Sequence, residues 1–315
     1  MNNKDKKEIL FYYESRQNPN GDPGFENQPR LMPDGTILVT DVRIKRTIRD
    51  HAKNVLGETL FVDYSKEDGS PTTADKRAKE IIGDLKGDVI AKLINSTFDT
   101  PLFGALVTIR ESKDEDKSGG DSAKLTGPVQ FGIGRSTNQV TVINPTISGR
   151  FVGKEKEAAQ KQYSTFGKFY SVEYALIKIH GAVNPANLAA YINDEKITKK
   201  FSEKEEKLFT CLWDGTNQLI TRSKYPQRSI LFLEVTYDST IYNDLPNLVV
   251  EKKEMKEKPT SLVESPFDFT KLIHILEKRR DKVKLVRVKG CEELDSDIKS
   301  LVTKLRAANI KVEEL

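Results

Sequence analysis

The sequence predicts an α+β fold whose elements follow the ferredoxin-like order of strand, helix, strand, strand, helix, strand. Its strand segments are short and apolar or alternating, and its helical segments carry apolar residues three and four positions apart. The chain has 315 residues, which permits one large domain with sizeable insertions. We predict a core domain over residues 1–240 and an α/β extension over 241–315 that packs on this core.

Each core element has its own signal. The segment EILFYYES at residues 8–15 alternates large side chains on both faces, which favours core packing over base stacking by its aromatic rings. The first helix begins near Thr40, a good N-cap residue, and Ser202 with Glu205 has the spacing of a capping box before the second helix. The segment SILFLEVTY at residues 229–237 is the last strand of the core.

Two insertions interrupt this core. Residues 57–124 contain two amphipathic helical segments, a strand and a charged loop. Strands over 125–133 and 138–143 flank a predicted turn at Gly132–Ser136, and a hairpin with basic and aromatic residues is expected over 133–168. The predicted molecule is therefore a sheet and helix core with a helical insertion and a hairpin insertion.

Composition narrows the class of protein. Charged residues make up 31% of the chain but the formal net charge is only +4, so a nucleic-acid surface must come from local clustering of cations. The two cysteines, Cys211 and Cys291, are far apart, which argues for a reducing compartment and against a structural zinc site. No apolar leader and no long apolar run occurs, so we expect a cytoplasmic protein that does not span a membrane.

Signals for enzymatic chemistry are weak. The three histidines, His51, His180 and His274, are scattered, and His51 is expected to pack at the apolar edge of the first helix. No P-loop, zinc-protease or serine-hydrolase motif occurs. We therefore predict no metal and no cofactor.

The stretch NPNGDPGFENQPRLMPDG at residues 18–35 is a long loop without periodicity. Its prolines fix the backbone, and Asn20 and Gly21 tolerate positive φ, so the chain can turn sharply and present N–H groups. A connection of this length in a compact domain usually has a function. The alternative is an ordinary surface loop.

The helix after this loop has a basic side. Lys45, Arg46, Arg49 and Lys53 fall within one arc of about 100° next to the apolar side, with only Asp50 near them as a counter-charge. A solvated helix face usually mixes signs. Cations beside a loop that presents N–H groups suit a run of phosphates, and this interpretation is favoured over a plain solvated face.

Several motifs follow one another along residues 8–240. They include NPNGDP at 18–23, VTDVRIKRTIRD at 39–50, LFGA at 102–105 and TGPVQF at 126–131. Their identity and order resemble the backbone subunit of the type I CRISPR interference complex, Cascade, in the branch of subtypes B and C (the Cas-seven group). Residues 241–315 carry no part of this resemblance.

The resemblance implies a non-catalytic, RNA-binding function. Subunits of this family polymerise along a CRISPR guide RNA and hold it, independently of sequence, for pairing with target DNA. The implied fold is a palm like an RNA-recognition motif, with residues 57–124 as a finger region and 133–168 as a thumb that folds over the guide. The implied partners are the guide RNA, target DNA through guide pairing, further copies of the chain, and the large and guide-processing or capping subunits of Cascade.

The loop, the helix, the hairpin and the family motifs together define the predicted contacts. The residues expected to contact the guide RNA are Asn18, Asn20, Gly21, Arg30, Lys45, Arg46, Arg49, Lys53, Arg135 and Arg150.

Two enzymatic alternatives remain. One is a metal-dependent, RNA-cleaving backbone subunit, as in type III complexes, that would use Asp22 or Asp34 of the loop; both have the Gly and Pro neighbours of turn residues. The other is the guide-processing endoribonuclease of the same superfold. That enzyme needs a glycine-rich loop near the C-terminus and a reactive histidine, and the sequence has neither in clear form.

Overall fold

The computed structural model describes residues 5–63, 72–109, 121–148, 166–257 and 259–315. The strands are β1 (Asp5–Ser15), β2 (Gly21–Asp22), β3 (Gln28–Pro29), β4 (Thr36–Val39), β5 (Gly104–Ile109), β6 (Asp121–Thr126), β7 (Val129–Phe131), β8 (Gly134–Gln139), β9 (Val142–Ile143), β10 (Thr146–Ser148), β11 (Phe166–Lys168), β12 (Ser171–Val172), β13 (Ala175–Val183), β14 (Gln227–Asp238), β15 (Val250–Glu251), β16 (Phe267–Asp268), β17 (Val283–Gly290) and β18 (Val312–Glu314). The helices are α1 (Asp41–Asn54), α2 (Ala74–Ile82), α3 (Val89–Ser96), α4 (Thr100–Phe103), α5 (Glu195–Glu206), α6 (Leu208–Asn217), α7 (Thr270–Lys278) and α8 (Asp295–Ala307).

One large sheet organises these elements. Its strand order is β18-β17-β14-β1-β13-β8-β4, and β7 pairs with β13 beside β8. β1 lies between β13 and β14 and is antiparallel to both. β17 is antiparallel to β14 and β18 is parallel to β17, so the C-terminal strands continue the sheet at one edge. The fold is a mixed α+β architecture built on this sheet.

The central sheet is buried on both faces. In β1, Phe11 and Tyr13 pack in the apolar cluster that includes α1 and α6, whereas Leu10 and Tyr12 pack in the cluster that includes α7 and α8. The four side chains are at most 3% exposed. The Tyr12 hydroxyl also donates to Glu251 at 2.6 Å. The expectation that these aromatic rings pack in the core is confirmed.

A buried carboxylate ties β1 to the segment after β14. Glu8 Oε1 accepts from the backbone N–H groups of Tyr242 and Asn243 at 2.9 and 2.8 Å. Its Oε2 accepts from the Leu245 N–H at 3.2 Å and lies 3.1 Å from His180 Nε2. Burial alone would raise the pKa of Glu8, but these hydrogen bonds hold the pKa below its ordinary value.

Helices α1 and α6 cross closely on their face of the sheet. Gly215 of α6 permits this approach, because a Cβ there would lie 3.0 Å from His51 Cβ and 3.2 Å from the Thr47 carbonyl oxygen. His51 is buried, as expected, and burial lowers its pKa. Thr40 caps α1 by accepting from the Arg43 N–H at 3.3 Å, which confirms the predicted start of this helix.

Two local expectations are wrong. The predicted capping box lies inside a helix: Asp194 caps α5, and Ser202 donates to the Thr198 carbonyl at 3.1 Å within it. The predicted turn at Gly132–Ser136 is largely strand β8, because its residues pair with β13 and β4. In both places local turn or cap chemistry is overridden by pairing and packing over longer distances.

The two insertions differ in how much of them the structure describes. The first contains α2, α3, α4 and the β5–β6 pair; α2, α3 and β5 lie where the sequence predicted them, whereas α4 was not predicted and β6 begins within the expected charged loop. For the second, β10 pairs with β11 at the base, and residues 149–165, which include Arg150, lie outside the described residues. In the parts of the chain that the structure describes, no helix has the length and apolar character to cross a membrane.

Candidate nucleic-acid interface

The opening loop is a closed hairpin. Strands β2 and β3 pair, with Gly21 opposite Pro29, and Asp22 accepts from the Gly24 N–H at 3.0 Å at the start of the tip. The Asn27 N–H donates to the Asp22 carbonyl at 2.8 Å. A Cβ on Gly21 would lie 2.9 Å from the Asn27 carbonyl oxygen, so this close approach requires glycine.

The asparagines of the opening motif hold this hairpin in place. Asn18 is 3% exposed and its Nδ2 donates to the Asn27 carbonyl at 2.5 Å. Asn20 is 7% exposed, and its Oδ1 accepts from the Thr40 hydroxyl at 3.4 Å. Because Thr40 is the N-cap of α1, Asn20 links the hairpin to the start of that helix. Both amides bind the protein's own polar groups in this structure.

A third segment, residues 218–226, completes the site and was missed in the sequence. The Asn18 N–H donates to the Ser223 carbonyl at 3.1 Å, and Lys224 Nζ donates to the Asn18 carbonyl at 2.8 Å. Burial, together with the positive charge of Arg43, lowers the pKa of Lys224 to about 8. Lys224 therefore joins this segment to the start of the hairpin. A lysine between turn residues gives no periodic signal that would have identified it.

Three predicted cations of α1 form ion pairs: Lys53 is half-exposed, Arg46 is partly exposed, and the Lys45 side chain is only 13% exposed. Lys45 Nζ lies 3.1 Å from Asp41 and also donates to Gln130 at 3.2 Å. Arg46 pairs with Asp50 at 2.6 Å and Lys53 with Asp63 at 2.5 Å. The basic side of α1 is thus more neutralised than the sequence indicated, because Asp63 comes from outside the helix.

Arg49 is in a different position. It is 8% exposed, and its Nε donates at 2.8 Å to Asp99, which is fully buried. Asp99 also accepts from the backbone N–H groups of Phe61 and Val62 at 2.7 and 3.0 Å. The guanidinium carbon of Arg49 lies 4.9 Å from the centre of the Phe103 ring. Arg49 therefore connects α1 to the first insertion (57–124) from within the protein, and RNA contact at this residue stays a prediction.

Two other predicted cations, Arg30 and Arg135, form ion pairs with acids of the opening loop. Arg30 pairs with Asp22 at 3.2 Å within the hairpin. Arg135 of β8 pairs with Asp34 at 2.9 Å and borders an open groove with Lys178 and Glu251. This groove lies on the face of the sheet opposite α1. Arg135 lies beside Lys178 on the neighbouring strand, and Lys178 forms an ion pair with Glu251 of the C-terminal extension.

The two candidate nuclease residues act in turns. Asp22 caps the hairpin tip, and Asp34 accepts from the Thr36 N–H and hydroxyl at 3.1 and 2.6 Å. The Thr36 hydrogen bonds lower the pKa of Asp34, with a smaller contribution from Arg135. Within the described ranges, no three acidic, cysteine or histidine side chains form a group that could hold a metal ion.

Comparisons with known proteins agree on one family. The family described as CRISPR-associated protein Cas7 matches residues 5–270 of the chain. A curated relative of the same description from Haloferax volcanii (strain DS2) is 30% identical over 319 residues, covering 95% of this chain and 90% of the relative.

Among solved structures, a chain of a CRISPR RNA-guided surveillance complex in a pre-nicking state aligns with a TM-score of 0.52 and 13% identity, covering 98% of this chain and 96% of that chain. A chain of another CRISPR RNA-guided surveillance complex aligns with a TM-score of 0.48 and 12% identity, covering 91% and 89%. The family match over most of the length, together with the full-length relative, shows that the chain belongs to the CRISPR-associated Cas7 family.

Proposed function

We propose that this chain is the guide-RNA-binding backbone subunit of a type I CRISPR interference complex, Cascade. The observation that carries the proposal is the family match over residues 5–270, which includes the hairpin, α1 and the 218–226 segment. In this function the chain polymerises along a CRISPR guide RNA and presents it for pairing with target DNA. The guide supplies the sequence specificity, and the protein binds the backbone.

The surface ion pairs of α1 suit exchange with phosphates. In the Lys53–Asp63 pair the lysine is half-exposed, and solvent-accessible pairs contribute only about 0–1 kcal/mol, so a guide phosphate can replace the carboxylate at little cost. The same argument applies to the partly exposed Arg46–Asp50 pair, whereas the Lys45 side chain is only 13% exposed and is held more firmly. Arg30, Asn18, Asn20 and Gly21 would act mainly by fixing the hairpin beside these cations, and Arg49 by fixing α1 against the finger region.

The fold supports a finer assignment. The strand order β14-β1-β13-β8, with α1 and the α5–α6 pair in the two crossovers, is the arrangement expected of a ferredoxin-like palm. We assign residues 1–240 to this palm with its finger region (57–124) and thumb (133–168), and 241–315 to an extension packed on it. Arg135 and Arg150 would contact the guide from the β8 side and from the thumb.

The proposed function is non-catalytic and belongs in the cytoplasm, where guide RNA is bound. Asp22 and Asp34 are proposed to shape turns rather than to hold a metal ion, since each is bonded to neighbouring backbone N–H groups. The proposed partners are the guide RNA, target DNA paired with it, further copies of this chain, and the large and guide-processing or capping subunits of Cascade. No cofactor is required.

Co-expression with a CRISPR array tests this function. The purified chain should carry RNA, and sequencing of that RNA should return guides with all the spacers of the array in similar proportion. A variant with Lys45, Arg46 and Lys53 changed to glutamine should carry less RNA at an unchanged melting temperature. Purification of a folded wild-type chain without guide RNA would contradict the proposed function.

A further inference from the structure

We propose that Glu26, at the tip of the opening hairpin, is a positioning residue that holds the base of the second insertion against the hairpin. It thereby sets where this insertion, the thumb of the proposed function, lies along a bound guide RNA. The base comprises residues 168–172. The inference rests on the proposed function, and Glu26 is not among the predicted RNA contacts.

The second insertion leaves the core through a break in its strand pairing. Directly before β13, strand β12 pairs with β9, with Ser171 opposite Ile143. One step further along the insertion, β11 pairs with β10, with Lys168 opposite Thr146. Residues 144–145 and 169–170 separate the two pairs and belong to no strand. A few residues at the ends of elements are where hinges form, so other contacts must fix the direction of the insertion at this break.

The side chain of Glu26 contacts both ends of this break. Its Oε2 accepts from Lys168 Nζ at 2.8 Å and from the Tyr170 hydroxyl at 3.1 Å, and its Oε1 accepts from the same ammonium group at 3.0 Å. Gln28 of β3 donates to the Tyr170 hydroxyl at 3.3 Å. Hydrogen bonds from Lys168 and Tyr170 lower the pKa of Glu26, so this carboxylate is charged at neutral pH. Two side chains of the hairpin therefore hold the residues on either side of Phe169.

The 218–226 segment contacts the same break. The guanidinium carbon of Arg222 lies 5.7 Å from the centre of the Phe169 ring, within the range of a cation–π contact. The three consecutive residues at the break, 168 to 170, are thus each contacted by a side chain from the hairpin or from this segment.

The hairpin that carries Glu26 is itself held firmly. Glu26 and Asn27 have φ of 51° and 58°, a left-handed conformation that is uncommon for glutamate. The conformation is maintained because the Asn27 N–H and carbonyl are bonded to Asp22 and to the buried Asn18. Since Asn20 links the hairpin to the N-cap of α1, a continuous series of contacts joins α1 to the base of the insertion.

This arrangement suits positioning better than stabilisation of the fold. The side chains of Glu26 and Lys168 are 57% and 61% exposed, and ion pairs as exposed as this contribute little to stability. Loss of Glu26 should therefore leave the melting temperature unchanged while the insertion gains freedom at the break. Because the hairpin is linked to α1, the contact relates the thumb to the cations that are proposed to bind guide phosphates.

The first experiment tests the contact itself, with and without RNA. A water-soluble carbodiimide joins a carboxylate to an amine that touches it, without adding a spacer. The free chain and its complex with CRISPR guide RNA are treated, digested and analysed by mass spectrometry. An amide between Glu26 and Lys168 should form in both samples and should be absent from Glu26→Gln. Loss of this cross-link on guide binding would show that the guide takes Lys168 from Glu26, and would overturn the positioning role.

The second experiment measures the position of the insertion on the RNA. In assembled wild-type complexes, chemical modification of guide bases should show reactive positions at a regular interval, because one thumb interrupts the guide per subunit. Glu26→Gln should lower the contrast between reactive and protected positions about twofold, the shift in population that loss of one exposed contact permits. Its melting temperature and its yield of bound RNA should match wild type. Glu203→Gln, which removes a similarly exposed partner of Lys200 in α5, is the matched control and should keep the full contrast.

Exchange of the two charges separates positioning from direct RNA contact by Lys168. Glu26→Lys and Lys168→Glu should each lower the contrast, because each places like charges together at the break. The double variant restores an opposite pair and should recover most of the contrast. A double variant no better than Lys168→Glu alone would show that Lys168 acts on the RNA and not through Glu26, which overturns the inference.

The outcomes also separate this inference from the proposed function. Full contrast in Glu26→Gln, or a wild-type complex without regularly spaced reactive bases, overturns the positioning role and leaves guide binding standing. Tighter guide binding by Glu26→Gln with an unchanged pattern would mean that the carboxylate competes with a phosphate, and overturns it as well. Failure of the folded wild-type chain to bind guide RNA contradicts the proposed function itself.

Discussion

Replacement of Arg49 by methionine separates a structural role of this residue from direct contact with RNA. The substitution keeps the aliphatic length of the side chain but leaves Asp99 buried without its cation. Removing one partner of a buried ion pair costs about 3–5 kcal/mol of unfolding free energy. Asp99 keeps its two backbone donors, Phe61 and Val62, so we expect the lower part of this range.

The assay is thermal unfolding followed by circular dichroism. A loss of about 3 kcal/mol corresponds to a fall of roughly 6 °C in Tm for a chain of this size, at about 2 °C per kcal/mol. Lys53→Met is the matched control: it removes the cation of the Lys53–Asp63 pair, which is half-exposed, and should change Tm by less than about 2 °C. Guide RNA affinity is measured for both variants well below their melting temperatures.

The two variants should therefore show opposite patterns. Arg49→Met should lower Tm with a modest effect on the salt slope of RNA binding, and Lys53→Met should lower the slope with little effect on Tm. A variant Arg49→Met that melts like wild type but binds RNA with a clearly reduced salt slope would refute the structural role and return Arg49 to the set of phosphate contacts.

Three further predictions concern other parts of the molecule. Glu8→Gln should destabilise the fold by about 1.5–3 kcal/mol at pH 7. The folded-state pKa of Glu8 is depressed, so the stability that Glu8 contributes is lost as the pH falls through that value. Urea denaturation should therefore show a smaller loss of stability in acid for the variant than for wild type, and an equal loss would contradict this. Asp22→Ala and Asp34→Ala should leave complementary target RNA uncut, as wild type does, in assembled complexes with magnesium or manganese; regular cleavage that either variant abolishes would move the chain to the RNA-cleaving class. Shortening Pro145–Phe166 to a tight turn should leave Tm nearly unchanged but disturb assembly on guide RNA, and regular assemblies of the variant in electron micrographs would count against the thumb assignment.

The elements of the fold were predictable where one local signal dominates. The alternating residues of β1 and the N-cap Thr40 with the apolar spacing behind it specify their elements without distant partners. The Ser202–Glu205 pattern led to a wrong prediction because α5, which Asp194 caps, already runs through both residues. Glu205 instead forms a buried ion pair with Lys7 of β1. That pairing joins residues almost 200 positions apart, which no window of sequence contains.

The sequence indicated the opening hairpin and the basic side of α1, but it could not indicate how their charges are balanced. The opening motif and α1 were identified because glycine, proline and basic residues are dense there. Arg49 is buried against Asp99, which lies 50 positions away in the first insertion. Lys224 was missed for the same kind of reason: its ammonium group donates to the Asn18 carbonyl, which is 206 positions away in the sequence.

The most direct test of the central claim compares two guide RNAs of equal length and unrelated spacer sequence. The affinity of the purified chain for each is measured over a series of salt concentrations. A backbone subunit that binds phosphates should bind both equally, with the same negative slope of log affinity against log salt. Affinities that differ strongly with spacer sequence, or a salt slope near zero, would contradict a subunit that holds the guide by its backbone.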